Sequence, residues 1–168
     1  MHGLYLLSVY LHITAAIVWI GGMFFLVLVL VPWLRKGDRA LAGRVMKDAG
    51  QRFRTIGWAC FAIVLATGTF NLYVRGVRFS SFVDPAWLAS PFGKAVVTKL
   101  AIFAFVLLVS AFHDFWHGPR ATIVIQKDPR SPEAERLRKR ASYLGRLNML
   151  LALALLGLGV VIVRGWPW

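Results

Sequence analysis

Four long apolar stretches, separated by polar segments, dominate the sequence. They cover about residues 4–34, 56–74, 94–117 and 146–164. Each run is continuous rather than alternating, and each is longer than a strand, which favours helices. A bilayer core of ~30 Å needs about 20 mostly apolar residues for each spanning helix. The pattern therefore predicts an all-α polytopic membrane protein, with a single domain over 1–168 that forms a four-transmembrane-helix bundle.

The two longest intervening segments, about 35–55 and 118–145, carry most of the basic residues. By the positive-inside rule both segments are predicted to be cytoplasmic loops, so that both termini lie outside. This orientation is the one expected in a bacterial-type inner (plasma) membrane. Aromatic residues that mark the interfaces agree with it. On the inner side they are Trp33, Trp58 and Trp116, and on the outer side they are Tyr5, Tyr73, Trp87, Trp166 and Trp168.

The composition limits the classes of function. Hydrophobic residues make up 58% of the chain and charged residues 16%, whereas soluble domains average roughly 45–50% and 25%. A formal net charge of +13 is explained by the loops and by contact with anionic lipid headgroups, and not by nucleic acid. The single cysteine, Cys60, cannot form an intrachain disulfide, and no zinc-type spacing is present. Without a P-loop or a catalytic triad pattern, any enzymatic chemistry would belong to a bound cofactor.

His12 is an ionisable residue inside the first apolar stretch, where such residues usually have a partner or a function. Ser8, Ala15 and Trp19 share its helix face, which leaves room for a flat group beside the ring. Further along, Gly21-Gly22 allows a neighbouring helix to approach closely. A neutral imidazole can bind iron or copper through one nitrogen and donate the other N–H. Two interpretations stay open: a metal or haem ligand, and a structural histidine hydrogen-bonded between helices.

The third stretch carries a lysine near its beginning and two histidines near its end. His113 and His117 are four residues apart, a spacing that can place two imidazoles on one metal ion. A water-facing interfacial cluster is the alternative, and it is the interpretation favoured for His117. Asp114 could orient either ring or neutralise a nearby arginine. For Lys99 the favoured interpretation is a snorkelling side chain, whose methylene stem lies in lipid and whose ammonium group reaches the outer headgroups.

Depth separates these residues into two groups. At ~1.5 Å per helical residue, His12 and His113 differ by roughly 18 Å in depth, so they are not expected to ligate one iron within a subunit. Lys99 and Asn71 lie at about the depth of His12. The sequence therefore predicts separate outer and inner sites. No internal repeat is evident.

Several motifs resemble the CopD-type copper-resistance membrane domain. They are Arg52-Phe53, Thr67-Gly68-x-x-Asn71, Gly93…Lys99-Leu100 and the segment His113-Asp114-Phe115-Trp116 followed by Gly118-Pro119-Arg120. The resemblance implies copper uptake or tolerance.

The first stretch is also similar to the HemJ-type protoporphyrinogen oxidases. The similar residues run from Leu11-His12 through Trp19-x-Gly21-Gly22-Met23-Phe24-Phe25. That resemblance implies a four-helix membrane protein with b-type haem, in which an early lysine and a late histidine match Lys99 and His113. The chain departs from the HemJ pattern over 26–32, where it has neither arginine nor histidine.

The principal hypothesis is a haem b-binding membrane protein that acts in electron transfer or as a membrane oxidoreductase. Its expected partners are the lipid bilayer and a quinone, a porphyrin or a redox protein. The residues expected at the cofactor are His12, Lys99, His113, Trp19, Asn71, Arg75 and Arg120, with His12, His113 and His117 as metal ligands. The first alternative is copper uptake or tolerance, and the second is a structural subunit that forms homo-oligomers through Gly157 and Gly159.

Overall fold

The computed structural model describes residues 2–165, apart from the side chains of 39 and 40, and its long elements are all helices. The expected interfacial residues Trp166 and Trp168 lie outside the described residues. The elements are α1 (His2–Arg35), α2 (Arg39–Val74), a 3₁₀ turn (Phe79–Val83), α3 (Pro85–Ala89), α4 (Pro91–Lys127) and α5 (Pro132–Arg164). Helices α1, α2, α4 and α5 are long and apolar enough to cross a membrane. The prediction of a four-helix membrane bundle is confirmed.

The helices are longer than the apolar stretches, and they take in most of both segments that the sequence assigned to loops. Helix α2 already begins at Arg39, and α4 continues to Lys127. Helix α5 begins at Pro132 because the Ser131 hydroxyl accepts a hydrogen bond from Ala134 N (3.2 Å), which caps the first turn. Hydropathy detects only the part of a helix that lies in lipid, so it cannot locate such polar extensions.

The four long helices form two hairpins, because α1 packs mainly on α2 and α4 packs mainly on α5. At one end of the bundle the Arg75 guanidinium reaches the Tyr5 hydroxyl (3.5 Å) and the Ile162 carbonyl (3.4 Å). At the opposite end Arg35 donates to the Ser142 hydroxyl (3.4 Å). The beginning of α1 and the end of α5 therefore lie on the same side, which we call the outer end, following the charge distribution.

The core lies at mid-depth, where all four long helices contribute. Trp19 and Phe61 pack with ring centroids 4.9 Å apart, and Val106 and Ala152 are completely buried between them and their neighbours. Outside this core most large apolar side chains are exposed on the helix surfaces. That distribution fits a protein whose solvent is lipid, where apolar surface needs no burial.

Two of the long helices contain a π-helical segment near the inner end. The segments are Phe25–Leu30 in α1 and Phe112–His117 in α4. Each ends two residues before a proline, Pro32 or Pro119. Proline has no backbone N–H and its ring crowds the carbonyl four residues earlier, so the widened turn accommodates it without ending the helix.

Candidate functional site

The outer cluster centres on His12 and its contact with α2. His12 Nδ1 lies 2.9 Å from Thr67 Oγ1, and the same hydroxyl lies 2.6 Å from the Ile63 carbonyl. A hydroxyl has one proton, and the carbonyl can only accept, so Thr67 donates to Ile63 and accepts from His12. This arrangement puts the imidazole proton on Nδ1 and leaves the lone pair on Nε2, which is the form that a metal ligand requires.

Gly68 makes room for the imidazole ring against the backbone of α2. A Cβ atom at this position would lie 3.2 Å from His12 Cε1, which is closer than ordinary packing allows. A groove of about 260 Å³ lies on the surface of α1 and α2, lined by Ser8 and Thr67 among apolar residues, and the His12 ring is not part of its lining. It is smaller than the roughly 300–1,000 Å³ of typical cofactor pockets.

One cation, Lys99, stands near His12, and a second, Arg75, stands near Lys99. Lys99 is close enough to His12 to interact with it electrostatically, and Arg75 acts on Lys99 in the same way. The Lys99 ammonium group lies against α5, 3.3 Å from the position of a Cβ on Gly159. Asn71 is half-buried and its Oδ1 has no hydrogen-bond partner within residues 2–165. The outer cluster thus combines one histidine with two positive charges.

Three sulfur-containing side chains, those of Cys60, Met23 and Met149, lie in or against the core. Cys60 is a free thiol with 5% of its surface exposed, and Met23 is exposed to 6%. Both belong to one buried cluster with Trp19, and Met149 packs against that cluster from α5. Trp19, expected at a cofactor, is here a core residue packed on Phe61.

The inner cluster is organised by Asp114. Its Oδ2 accepts from Trp58 Nε1 (3.0 Å), and its Oδ1 lies 3.0 Å from His113 Nδ1. Arg54 donates to the Asp114 carbonyl (3.3 Å). The carboxylate therefore orients the His113 ring, as the sequence suggested, and also ties α4 to α2.

His117 differs from its expected position, because it is buried, with 5% of its surface exposed, and not facing water. The rings of His113 and His117 are nearly parallel (16°), with centroids 6.0 Å apart. Imidazole nitrogens bind metals at ~2 Å in the plane of the ring, so two parallel rings at this separation do not converge on one ion. Within residues 2–165 no three His, Cys, Asp or Glu side chains are grouped as a metal site.

The structure separates the residues expected at a cofactor. His12, Lys99, Asn71 and Arg75 lie toward the outer end, whereas His113 and His117 lie toward the inner end. Arg120 follows the inner cluster and pairs with Glu133 (3.5 Å).

Sequence reasoning missed the partners of these residues. Thr67 was noted only as part of a motif, and Trp58 only as an interfacial aromatic. Asn148, which donates to the buried Ser110 hydroxyl (3.0 Å) and joins α5 to α4, was missed altogether. The available signal was an amide side chain inside an apolar stretch.

Comparisons with known proteins agree with a membrane protein related to copper. A family model described as copper resistance protein D, CopD, matches residues 47–162. An uncharacterized protein of Aquifex aeolicus is 31% identical over 161 residues, which are 95% of this chain and 96% of that protein. The copper transport protein CutJ of Bacillus subtilis is 29% identical over 104 residues, which are 62% of this chain and 18% of CutJ. No solved structure matches the chain.

Proposed function

The chain belongs to the CopD family, copper resistance protein D, and on that premise we propose that it binds copper ions within the membrane and conducts them across it. The copper alternative of the sequence analysis thereby takes precedence over the haem hypothesis. The similarity to a copper transport protein supports the same choice, although the match spans about a fifth of that relative. The proposal places the protein in an inner membrane of bacterial type.

The observation that carries the proposal is the presence of a thiol and a thioether in one buried cluster of the core. Cys60 and Met23 lie in the same buried cluster, on α2 and α1 respectively. Soft sulfur ligands select Cu(I), zinc or iron–sulfur clusters, and zinc is usually bound by thiolate, imidazole or carboxylate rather than by a thioether. A reduced, buried thiol in an apolar bundle also fits a reduced copper ion, which carries a single charge.

The three candidate ligands are arranged along the axis of the α1–α2 hairpin. Cys60 precedes Thr67 by seven residues, so it lies about 10 Å below His12 at ~1.5 Å per residue. Met23 follows His12 by eleven residues, or about 16 Å. Lys99 weakens the attraction of a cation to His12, because like charges repel strongly in a low dielectric. We therefore assign tight binding to the sulfur pair and entry to His12.

The test is Cu(I) binding by the purified protein in mild detergent under reducing conditions, measured in competition with a chromophoric chelator. Cys60→Ser and Met23→Leu should each weaken Cu(I) binding by about tenfold or more, which corresponds to roughly 1.4 kcal/mol. Met46→Leu is the matched control, since this methionine lies on the polar part of α2, outside the core cluster. Copper uptake into proteoliposomes should fall in Cys60→Ser and in Met23→Leu and should be unchanged in Met46→Leu.

The position of the first ligand needs its own comparison. His12→Gln should slow copper uptake with little change in Cu(I) affinity, whereas His2→Gln, at an exposed position, should change neither. Unaltered binding in both Cys60→Ser and Met23→Leu would refute the sulfur site. Unaltered uptake in His12→Gln would remove the entry step and leave the sulfur site standing.

One observation favours haem as a second candidate. Lys99, near His12, and Arg75, near Lys99, are suited to pair with carboxylates such as haem propionates, and His12 Nε2 keeps a lone pair. The visible spectrum of the same preparation separates the two candidates. A Soret band lost in His12→Ala would support haem, whereas stoichiometric copper without porphyrin supports the copper proposal.

A further inference from the structure

A cavity of about 370 Å³ lies at the inner end of the bundle, between the π segment of α4 and the beginning of α5. The copper proposal does not use it. The cavity is lined by apolar side chains, one histidine and four charged side chains. They are Phe112, Trp116, His117, Arg120, Glu133, Arg136, Leu137 and Arg140.

His117 lines this cavity with unused hydrogen-bonding capacity. Both ring nitrogens are buried and have no hydrogen-bond partner within residues 2–165, and the residue is only 5% exposed. Buried polar atoms are normally paired, and an unpaired one costs roughly 1–3 kcal/mol. The nearest histidine, His113, is engaged by Asp114 and stacks on His117 rather than bonding to it. The position of His117 thus indicates a ligand that accepts its N–H.

The charged side chains that line the cavity indicate that the ligand is negatively charged. Three arginines and one glutamate leave two positive charges in excess, and the glutamate is already paired with Arg120 (3.5 Å). Arg136 and Arg140 are four residues apart on α5, hence on the same helix face. Neither has a carboxylate within salt-bridge distance among the described residues. Like charges at this spacing destabilise a helix, so an anion between them would be stabilising.

The location of the cavity indicates the chemical class. Trp116 and Phe112 form its apolar side and are exposed to 71% and 51% on the surface of the bundle, where lipid lies. Arg136 and Arg140 are on the polar extension of α5 at the predicted cytoplasmic interface. Basic pockets between transmembrane helices on this side of a membrane suit phosphorylated headgroups, and arginine binds phosphate with a planar, bidentate geometry.

We propose that this cavity binds a phosphate group, with Arg136 and Arg140 as its charged contacts and the His117 N–H as a hydrogen-bond donor on the buried side. The group is either the headgroup of an anionic lipid, whose acyl chains follow Trp116 and Phe112, or a free phosphate ion. The two sources share the same chemistry at the site. A lipid would also contact the apolar side of the cavity, formed by Trp116 and Phe112, whereas a free phosphate ion would not.

The first experiment uses wild-type protein labelled with ¹⁵N-histidine in neutral detergent. Inorganic phosphate or phosphatidylglycerol is titrated while the ring nitrogen signals are recorded, with phosphatidylcholine as the uncharged control lipid. We expect phosphatidylglycerol to shift the His117 signals saturably and phosphatidylcholine to leave them unchanged. A response to inorganic phosphate as well identifies a site that also takes the free ion. A response to inorganic phosphate alone identifies the free ion as the occupant.

The second experiment compares variants of equal charge. The cavity variant R136Q/R140Q should weaken the binding of the effective ligand by about tenfold or more for each arginine removed. The control K139Q/R146Q removes two charges from the same helix outside the cavity lining, and should bind as the wild type does. In phosphatidylglycerol nanodiscs the thermal unfolding temperature should be lowered in R136Q/R140Q and should stay close to that of the wild type in K139Q/R146Q.

Two outcomes overturn the proposal. One is the absence of any His117 response to either ligand in the wild-type protein, a measurement that needs no variant to fold. The other is an equal loss of binding in the cavity and control variants, which would mean that the lipid contacts only the general positive surface.

Discussion

Gly21 and Gly22 are neighbours in α1, and the structure distinguishes them sharply. A Cβ atom at Gly22 would lie 2.5 Å from Cε2 and 3.2 Å from Cδ2 of Phe53 in α2, whereas a Cβ at Gly21 would meet nothing within 4 Å. Gly22→Ala and Gly21→Ala are therefore matched perturbations. They add the same atoms to the same helix, but only one of them intrudes on the α1–α2 contact.

The change in unfolding free energy that each variant should show follows from two opposing effects. Replacing an interior helical glycine by alanine favours the helix by about 1 kcal/mol, and this gain is the same for both variants. Overpacking at Gly22 costs about 1–3 kcal/mol, because the Phe53 ring must leave its position or the helices must separate. Gly21→Ala should therefore be neutral or stabilising, and Gly22→Ala should be less stable than Gly21→Ala by about 1–3 kcal/mol.

The assay is reversible unfolding in detergent micelles with increasing sodium dodecyl sulfate, followed by circular dichroism. Phe53→Leu should recover most of the loss when combined with Gly22→Ala, since it removes the ring atoms that the new methyl group meets. Equal stability of the two alanine variants would refute the reasoning, because the helices would then not approach each other at Gly22. Failure of the Phe53→Leu rescue would place the strain elsewhere.

Three further predictions concern the inner cluster, a helix cap and the buried thiol. Asp114→Ala should destabilise the protein by about 1–3 kcal/mol and change its tryptophan fluorescence, since Trp58 Nε1 and His113 lose their acceptor. Ser131→Ala should cost about 0.5–2 kcal/mol of unfolding free energy through the loss of the N-cap of α5. Cys60 should react slowly with a water-soluble maleimide in the folded protein and rapidly after unfolding, as its 5% exposure requires.

Each of these predictions has a control in the chain. Asp114→Asn keeps an oxygen acceptor and should lose less stability than Asp114→Ala. Ser80→Ala, at an exposed position in the 3₁₀ turn, should leave the stability unchanged, in contrast to Ser131→Ala. Ser80→Cys should react with maleimide at once. Rapid labelling of Cys60 in the folded protein would contradict its burial, and an intact unfolding curve for Ser131→Ala would contradict the capping interaction.

The four membrane helices could be predicted because each apolar run is longer than any strand and continuous in its hydrophobicity. Their polar extensions could not be found by hydropathy, although local signals exist. Ser131-Pro132-Glu133 combines an N-cap residue, a proline at the first helical position and an acidic first turn, which together mark a helix start. Reading those three residues would have moved the beginning of the last helix from about 146 to 132.

The polar contacts were predictable only in part. The depth argument separated His12 from His113, and the structure places them in different clusters. The partner of His12 depends on the register between α1 and α2, which brings Thr67 and Gly68 beside the ring and which no local pattern specifies. The burial of His117 was missed because it depends on the path of α5 across the inner end of α4.

The two π segments stand at matching positions in the first helices of the two hairpins. They begin thirteen residues after His12 and thirteen residues after Lys99, and the prolines follow the same two side chains by twenty residues. Both hairpins therefore have a widened turn and a proline at the same distance along the helix from that side chain. The two hairpins thus share one helical pattern and differ in the side chain at its start, which is an imidazole in one and an amine in the other.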